Sequence, residues 1–276
     1  MGLRRAVDTR IVPALRRSVS PALASQRATI VKRVREKGAH LAKKPGDVRV
    51  WWNEDEERKR METALRPHEA GIAETVARRV PEVLDRPRKA EPFEDRVISY
   101  VTTQTGKRIT GILDTTRDDV QRIISQGFAD GLSPGEVADL LEQATTFDDA
   151  RSELIARTET MLAYNDAALT SYKEFDVRQV QAIDGDDDAT CAGRNGQVFD
   201  VDEAYGISDH PNGTLDWVPY FGKAHEFTWK PALEVPQRTE PVVVNVSPPV
   251  MPRPPMRLVF QRDEYGKIAS IVEEAV

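Results

Sequence analysis

The sequence predicts a mainly helical α+β fold. A helical N-terminal region packs on a small strand-and-turn module, followed by a Pro-rich tether and a C-terminal β-hairpin. Three observations carry this expectation. Apolar residues recur every three or four positions over most of residues 54–175, the period of a helix with one buried face. Between 177 and 220 the pattern shortens to brief strand-like runs broken by Gly, Asp and Asn. Eight prolines then crowd into 231–255, ahead of apolar runs at 258–260 and 268–272.

Composition narrows the class. Charged residues make up 30% of the chain and mean hydropathy is −0.50, so much of the helical surface faces water. A single cysteine excludes an internal disulfide and fits a reducing compartment. No run reaches the length of a membrane span and the N-terminus lacks a signal-peptide core, so no membrane partner is expected. The net charge of −6 hides an asymmetry, because residues 1–46 hold twelve Lys/Arg against two acids. Such a basic arm binds phosphate backbones without reading sequence, and Arg4, Arg5, Arg16, Arg17, Lys32, Arg33 and Arg35 are its candidate contacts to double-stranded DNA. The arm has no interleaved aromatics for base stacking. An acidic protein surface, or plain solvent, is the alternative partner.

Taken in order, Pro13 and Pro21 are expected to interrupt an early helix, which resumes over 28–42. Lys44-Pro45-Gly46-Asp47 is a turn, and Trp51 beside Trp52 reads as a buried anchor. A charged helix over 54–66 is expected to stop at Pro67. A second then carries Ile72, Val76 and Val80, and three prolines within 81–92 form an elbow. His40 and His68, alone on charged segments, read as surface residues. Helical spacing returns from Phe93 to Leu113, and Asp114-Thr115 is expected to open a separate helix closed by Gly131. Ser133-Pro134-Gly135-Glu136 has the form of a capping box, with Pro at the first helical position.

The helix beginning near Arg151 organises the chain as far as Tyr220. Leu154, Thr158, Met161, Asn165, Ala168 and Tyr172 recur on one face, with Thr158 and Asn165 polar in an otherwise apolar stripe. A buried Thr or Asn must find partners, so this face is expected to grip the backbone of the strand at 177–183 and of the turns up to 220. An ordinary amphipathic helix with two tolerated polar residues is the alternative reading.

In order and spacing, Ala156-Arg157-Thr158-Glu159, Asn165, Tyr172, Val177, the run Asp187 to Cys191, the run Asn195 to Phe199, His210-Pro211-Asn212 and Leu215 to Pro219 resemble the phage head-morphogenesis family. These are the minor head proteins similar to the F protein of phage Mu. The resemblance is close over 150–220 and looser from about 115. It implies a structural protein of procapsid and head assembly that binds the portal, with scaffold or major capsid protein as further partners. The packaged DNA would be within reach of the basic arm. It also implies residence in the virion head interior, after assembly in the host cytoplasm. The residues it marks as the module's structural motif are Arg157, Thr158, Glu159, Asn165, Asp187, Cys191, Gly196, His210, Pro211 and Asn212.

Members of that family often carry a cysteine pair at the first turn and further thiols after His-Pro-Asn, which reads as a zinc or disulfide clip. Here Cys191 is the only thiol, Arg194 stands at the second cysteine position, and Gly213 and Leu215 stand at the later ones. Cys191 and His210 supply two of the four ligands a structural zinc takes, so no metal and no cofactor is expected. Packing and turn geometry are expected to replace the clip. Asp184, Asp186 and Asp188 alternate like the start of a calcium loop, but Ala189 and Asn195 occupy the Gly and Glu positions, so a solvated turn is expected. No nucleophile has a base at readable spacing and there is no Gly-rich phosphate loop, so the chain is not expected to be an enzyme. A DNA-binding protein acting through the arm and a Cys/His-dependent hydrolase are the alternatives. The expected organisation is a basic arm at 1–46, a helical hairpin or elbow at 47–92, and the head-morphogenesis domain at 93–229 with its core at 150–220. A linker at 230–255 and a hairpin tail at 256–276 complete it.

Overall fold

The computed structural model describes residues 11–87, 89, 93–185, 188–222, 256–262 and 268–275, the last two stretches through their backbone. The chain divides into two units, Met1–His225 and Glu226–Val276. The first holds helices α1 (Val12–Leu41), α2 (Glu54–Val83), α3 (Phe93–Ala129), α4 (Pro134–Glu142) and α5 (Asp149–Glu174). Strand β1 (Gln179–Ile183), helix α6 (Ala189–Arg194), strand β2 (Val198–Asp200), helix α7 (Val201–Ala204) and strand β3 (Asp216–Tyr220) come next. The fold is mainly helical α+β, as the periodicity predicts. Among the described residues no helix is long and apolar enough to cross a membrane.

Three helices run longer than the sequence suggests. α1 is continuous through Pro21, and α2 through Pro67 and Pro81. A proline inside a helix costs about 3 kcal/mol. Burying one Leu or Ile side chain returns about 1.5–3 kcal/mol. Val19 and Leu23 flank Pro21, and Leu65 and Ile72 flank Pro67, all fully or almost fully buried. Pro21 and Pro67 themselves are exposed, so water can take the carbonyls they free. α3 likewise passes through Asp114-Thr115 without a break. Its buried row of Val97, Val101, Thr105, Ile109, Leu113, Thr116, Val120 and Ile124 never lapses. There is no free helix end to cap, and the hydroxyls of Thr115 and Thr116 bond back to Gly111 O and Ile112 O, each at 2.9 Å.

Other local signals act as expected. Ser133 Oγ accepts from Glu136 N at 3.3 Å, and Glu136 Oε2 accepts from Ser133 N at 2.8 Å, closing the capping box of α4. Gly131, with φ +78°, ends α3. Trp51 and Trp52 are buried edge to face, 5.8 Å between ring centroids. His40 is exposed beside Asp47. His68 corrects its surface reading: it is half-buried, 2.7 Å from Ser18 Oγ, and burial lowers its pKa.

α5 lies at the centre, packed against α1, α2, α3 and β3. β1 is the middle strand of an antiparallel sheet ordered β2-β1-β3. Val180 stands opposite Phe199 and Pro219, and Ala182 opposite Trp217. The inner face of this sheet joins Val76, Val101, Ala163, Ala168 and Phe175 in one core. The second unit contains β4 (Met256–Arg262) and β5 (Ile268–Ala275), an antiparallel pair with Val259 opposite Val272, as the hairpin reading predicts. The tether expected at 230–255 lies outside the described residues.

Candidate functional site

Three side chains on α5 hold the chain beyond the His210 corner. Thr158 Oγ1 accepts the Asn212 N–H at 3.0 Å, Asn165 Nδ2 donates to Leu215 O at 2.9 Å, and the Tyr172 hydroxyl donates to Trp217 O at 3.2 Å. They stand seven residues apart, two helical turns each, so they form one line along the helix. Asn165 and Tyr172 are buried. The grip on backbone expected from the polar-studded stripe is therefore present, and its target is β3 with the loop before it. Those contacts also occupy carbonyls beside an edge strand that would otherwise invite another chain, and Pro219 removes a donor from the same strand.

The corner is a tight turn closed by Gly213 N donating to His210 O at 2.9 Å. Pro211 presets the second position, and Asn212, at φ +66°, supplies the left-handed third. Gly213 has no room for a side chain, because a Cβ there would collide with the Asp209 carboxylate. Gly196 turns the chain from α6 into β2 at φ +80°, and its N–H donates to Ala182 O at 2.8 Å.

Behind the corner sits a buried guanidinium. Arg194 Nε donates to Asp184 Oδ2 at 2.6 Å, Nη2 donates to Asp209 Oδ1, and Nη1 donates to Ser208 O at 3.3 Å. Nη2 also lies 3.3 Å from Cys191 Sγ. Each carboxylate has further donors. Asp184 Oδ1 accepts from the Thr214 hydroxyl at 3.0 Å, and Asp209 accepts the N–H groups of His210 at 3.0 Å and Leu215 at 2.9 Å. The expectation that packing and turn geometry replace the clip is thus corrected. Arg194, where the resemblance would place a second cysteine, ties the 184, 191 and 209 segments together by charge-assisted bonds. The expected solvated turn is corrected at Asp184, whose side chain is fully buried, while Asp188 is exposed and Asp186 lies outside the described residues.

Cys191 is fully buried. Burial, then the Asp188 and Asp184 carboxylates, push its thiol up to about 12, the opposite of an activated nucleophile. Asp188 caps α6 through Thr190 N and Cys191 N. The hydrogen bonds from Cys191 and Thr190 hold its carboxyl down at about 2. His210 Nε2 is 3.2 Å from Asp188 Oδ2. Among the described residues two trios bring ligand atoms within 4.8 Å of one another, Asp188/Cys191/His210 and Asp184/Cys191/Asp209. In the second, the Arg194 guanidinium already supplies the cation. The first would have to deprotonate a thiol held near 12 before it could bind a metal.

The remaining motif residues divide between surface and core. Arg157 is exposed and bonds Glu153 one turn back at 2.8 Å. Glu159 is buried and accepts from Arg108 Nε at 2.7 Å, part of a second arginine cluster. Asp187 lies outside the described residues, as do Arg4 and Arg5 of the basic arm. Within the arm, Arg16 faces Asp149 and Glu153, Lys32 faces Glu36, and Arg33 faces Glu56. Arg35 faces Asp139 and Glu142, and Arg17 lies near enough to His68 to lower its pKa. Sequence reasoning missed the roles of Asp184, Arg194, Asp209 and Arg108. Arg194 at a cysteine position was the one available signal. No family model matches the chain, and no curated protein or solved structure does either.

Proposed function

We propose that this chain is a structural minor head protein of a tailed phage, recruited in the host cytoplasm during procapsid assembly and retained in the head interior. Its principal partner is the portal, with scaffold or major capsid protein beside it. One observation carries the reading. The residues that resemble the head-morphogenesis family, Thr158, Asn165, Tyr172, His210, Pro211 and Asn212, meet as cross-braces of a single module. They brace a surface for docking and do not converge on a substrate. The buried Cys191, with its thiol pushed up to about 12, supports a structural role over a Cys/His-dependent hydrolase.

The test is co-purification of the full chain with the portal at moderate salt. Retention supports docking. Loss of the portal together with steep, salt-dependent DNA affinity would favour the DNA-binding alternative. That alternative is disfavoured on Arg16, Arg33 and Arg35, whose charges already meet acids of α2, α4 and α5. Hydrolysis of peptide, nucleotide or nucleic acid by the purified protein would overturn both.

A further inference from the structure

Where α2, α3 and α5 cross, one guanidinium faces three carboxylates. Arg108 on α3 donates through Nε to Glu159 at 2.7 Å and through Nη1 to Asp166 at 2.7 Å, both on α5. Its Nη2 reaches Glu69 Oε2 on α2 at 3.4 Å. The Glu69 side chain is fully buried and that of Glu159 is 5% exposed. Three ionised acids on one arginine would leave two uncompensated negative charges in the core, a burden of several kcal/mol per ion.

The geometry identifies which acid is relieved. Glu69 Oε1 is buried and receives no hydrogen bond from any described donor. Glu69 and Glu159 sit on adjacent nitrogens of the same guanidinium, Nη2 and Nε, so the carboxylate beside Glu69 is another acceptor. Two acceptor oxygens face each other stably in the core only with a proton between them. Among the described residues, the other charged groups nearby act on Asp166 or His68 and not on Glu69. On α3, Lys107 acts on Asp166 and Tyr100 lies beside it, and Tyr205 beyond α7 feels the same aspartate. On the α1 side, Arg17 acts on His68 instead.

We propose that Glu69 is a carboxylic acid at neutral pH, donating its proton to Glu159, and that this shared proton locks the crossing of α2, α3 and α5. The cluster becomes a pH-dependent fastener at the helix crossing, on the same α5 that carries the clamps to the His210 corner. Burial is the largest cause holding Glu69 up at about 9, against 4.5 for an ordinary glutamate, with Arg108 opposing and Glu159 and Asp166 reinforcing. Because the folded chain keeps a proton that the unfolded chain releases, the lock is complete below about pH 4.5. It weakens as pH rises and is spent above about pH 9.

Two measurements on the full chain test this. Infrared spectroscopy at pH 7 should show a protonated-carboxyl band that is lost in Glu69→Gln, which keeps a donor and carries no charge. Denaturation across the pH range should show the folding equilibrium of wild type, divided by that of Glu69→Gln, falling by about tenfold per pH unit between the two limits. Absence of the band, its survival in Glu69→Gln, or a pH-independent ratio would each overturn the proposal. Should Glu69→Gln fail to fold, the wild-type band and its disappearance on titration above about pH 9 decide the matter. Portal binding plays no part in either readout, so failure here leaves the proposed function standing.

Discussion

Arg194 and Arg108 each serve buried carboxylates, and the charge problem is solved differently in the two places. Around Arg194 the acids come from loops, whose backbone is unspent, so Asp209 draws on the N–H groups of His210 and Leu215, and Asp184 on the Thr214 hydroxyl. Around Arg108 every acid sits inside a helix, where the backbone N–H groups are already committed to the turn before. Glu69 therefore has no peptide donor to call on and keeps a proton. A loop can stabilise a buried anion with its free amides, whereas the helix around Glu69 offers none. The choice is set by secondary structure and not by side-chain type.

The comparison is broken most directly by removing the cations. Arg194→Met leaves Asp184 and Asp209 buried without their counter-charge and should cost about 3–5 kcal/mol in urea denaturation. A loss of only ~0.5 kcal/mol would mean the pair behaves as a surface bridge. Arg108→Met should cost a similar amount at alkaline pH but less at acid pH, because Glu69 and Asp166, whose pKa values burial already raises, can take up protons. Its deficit should grow as pH rises through the span in which the folded variant holds more protons than the unfolded chain. A deficit that stays constant over that span would erase the distinction between the two clusters.

Smaller changes sharpen it. Asn165→Leu strands the buried Leu215 carbonyl and should lower stability by about 1–3 kcal/mol. Gly213→Ala drives a methyl into the Asp209 carboxylate and should cost about 1–3 kcal/mol, as overpacking does. Tyr172→Phe removes one hydrogen bond and should cost about 0.5–1.5 kcal/mol. Arg157→Ala, which loses only an exposed pair with Glu153, should stay within ~0.5 kcal/mol of wild type by the same denaturation assay.

The range of each interaction decides whether it could be read from the chain alone. The stripe through Thr158, Asn165 and Tyr172 was legible because helical periodicity puts its members on one face, and buried polar groups demand partners. The capping box at Ser133 was legible because all its atoms lie within four residues. The continuity of α1 and α2 was not, because a proline's local penalty is visible in sequence while the burial that outweighs it is tertiary. The Arg194 cluster joins residues 10 and 15 positions apart across turns of no fixed period. Arg108 reaches back 39 positions to Glu69 and ahead 51 to Glu159. No spacing rule connects such groups.

The seven-residue interval between Thr158, Asn165 and Tyr172 makes α5 a ruler for the strand beside it. One residue inserted between Thr158 and Asn165 would turn every later side chain by about 100° relative to the earlier ones. Thr158 could then hold Asn212, or Asn165 and Tyr172 could hold β3, but not all three together. Point changes at any single clamp should weaken the module by degrees. A change in helix length should unfasten it outright, and chain length within 158–172 is therefore the quantity this architecture tolerates least.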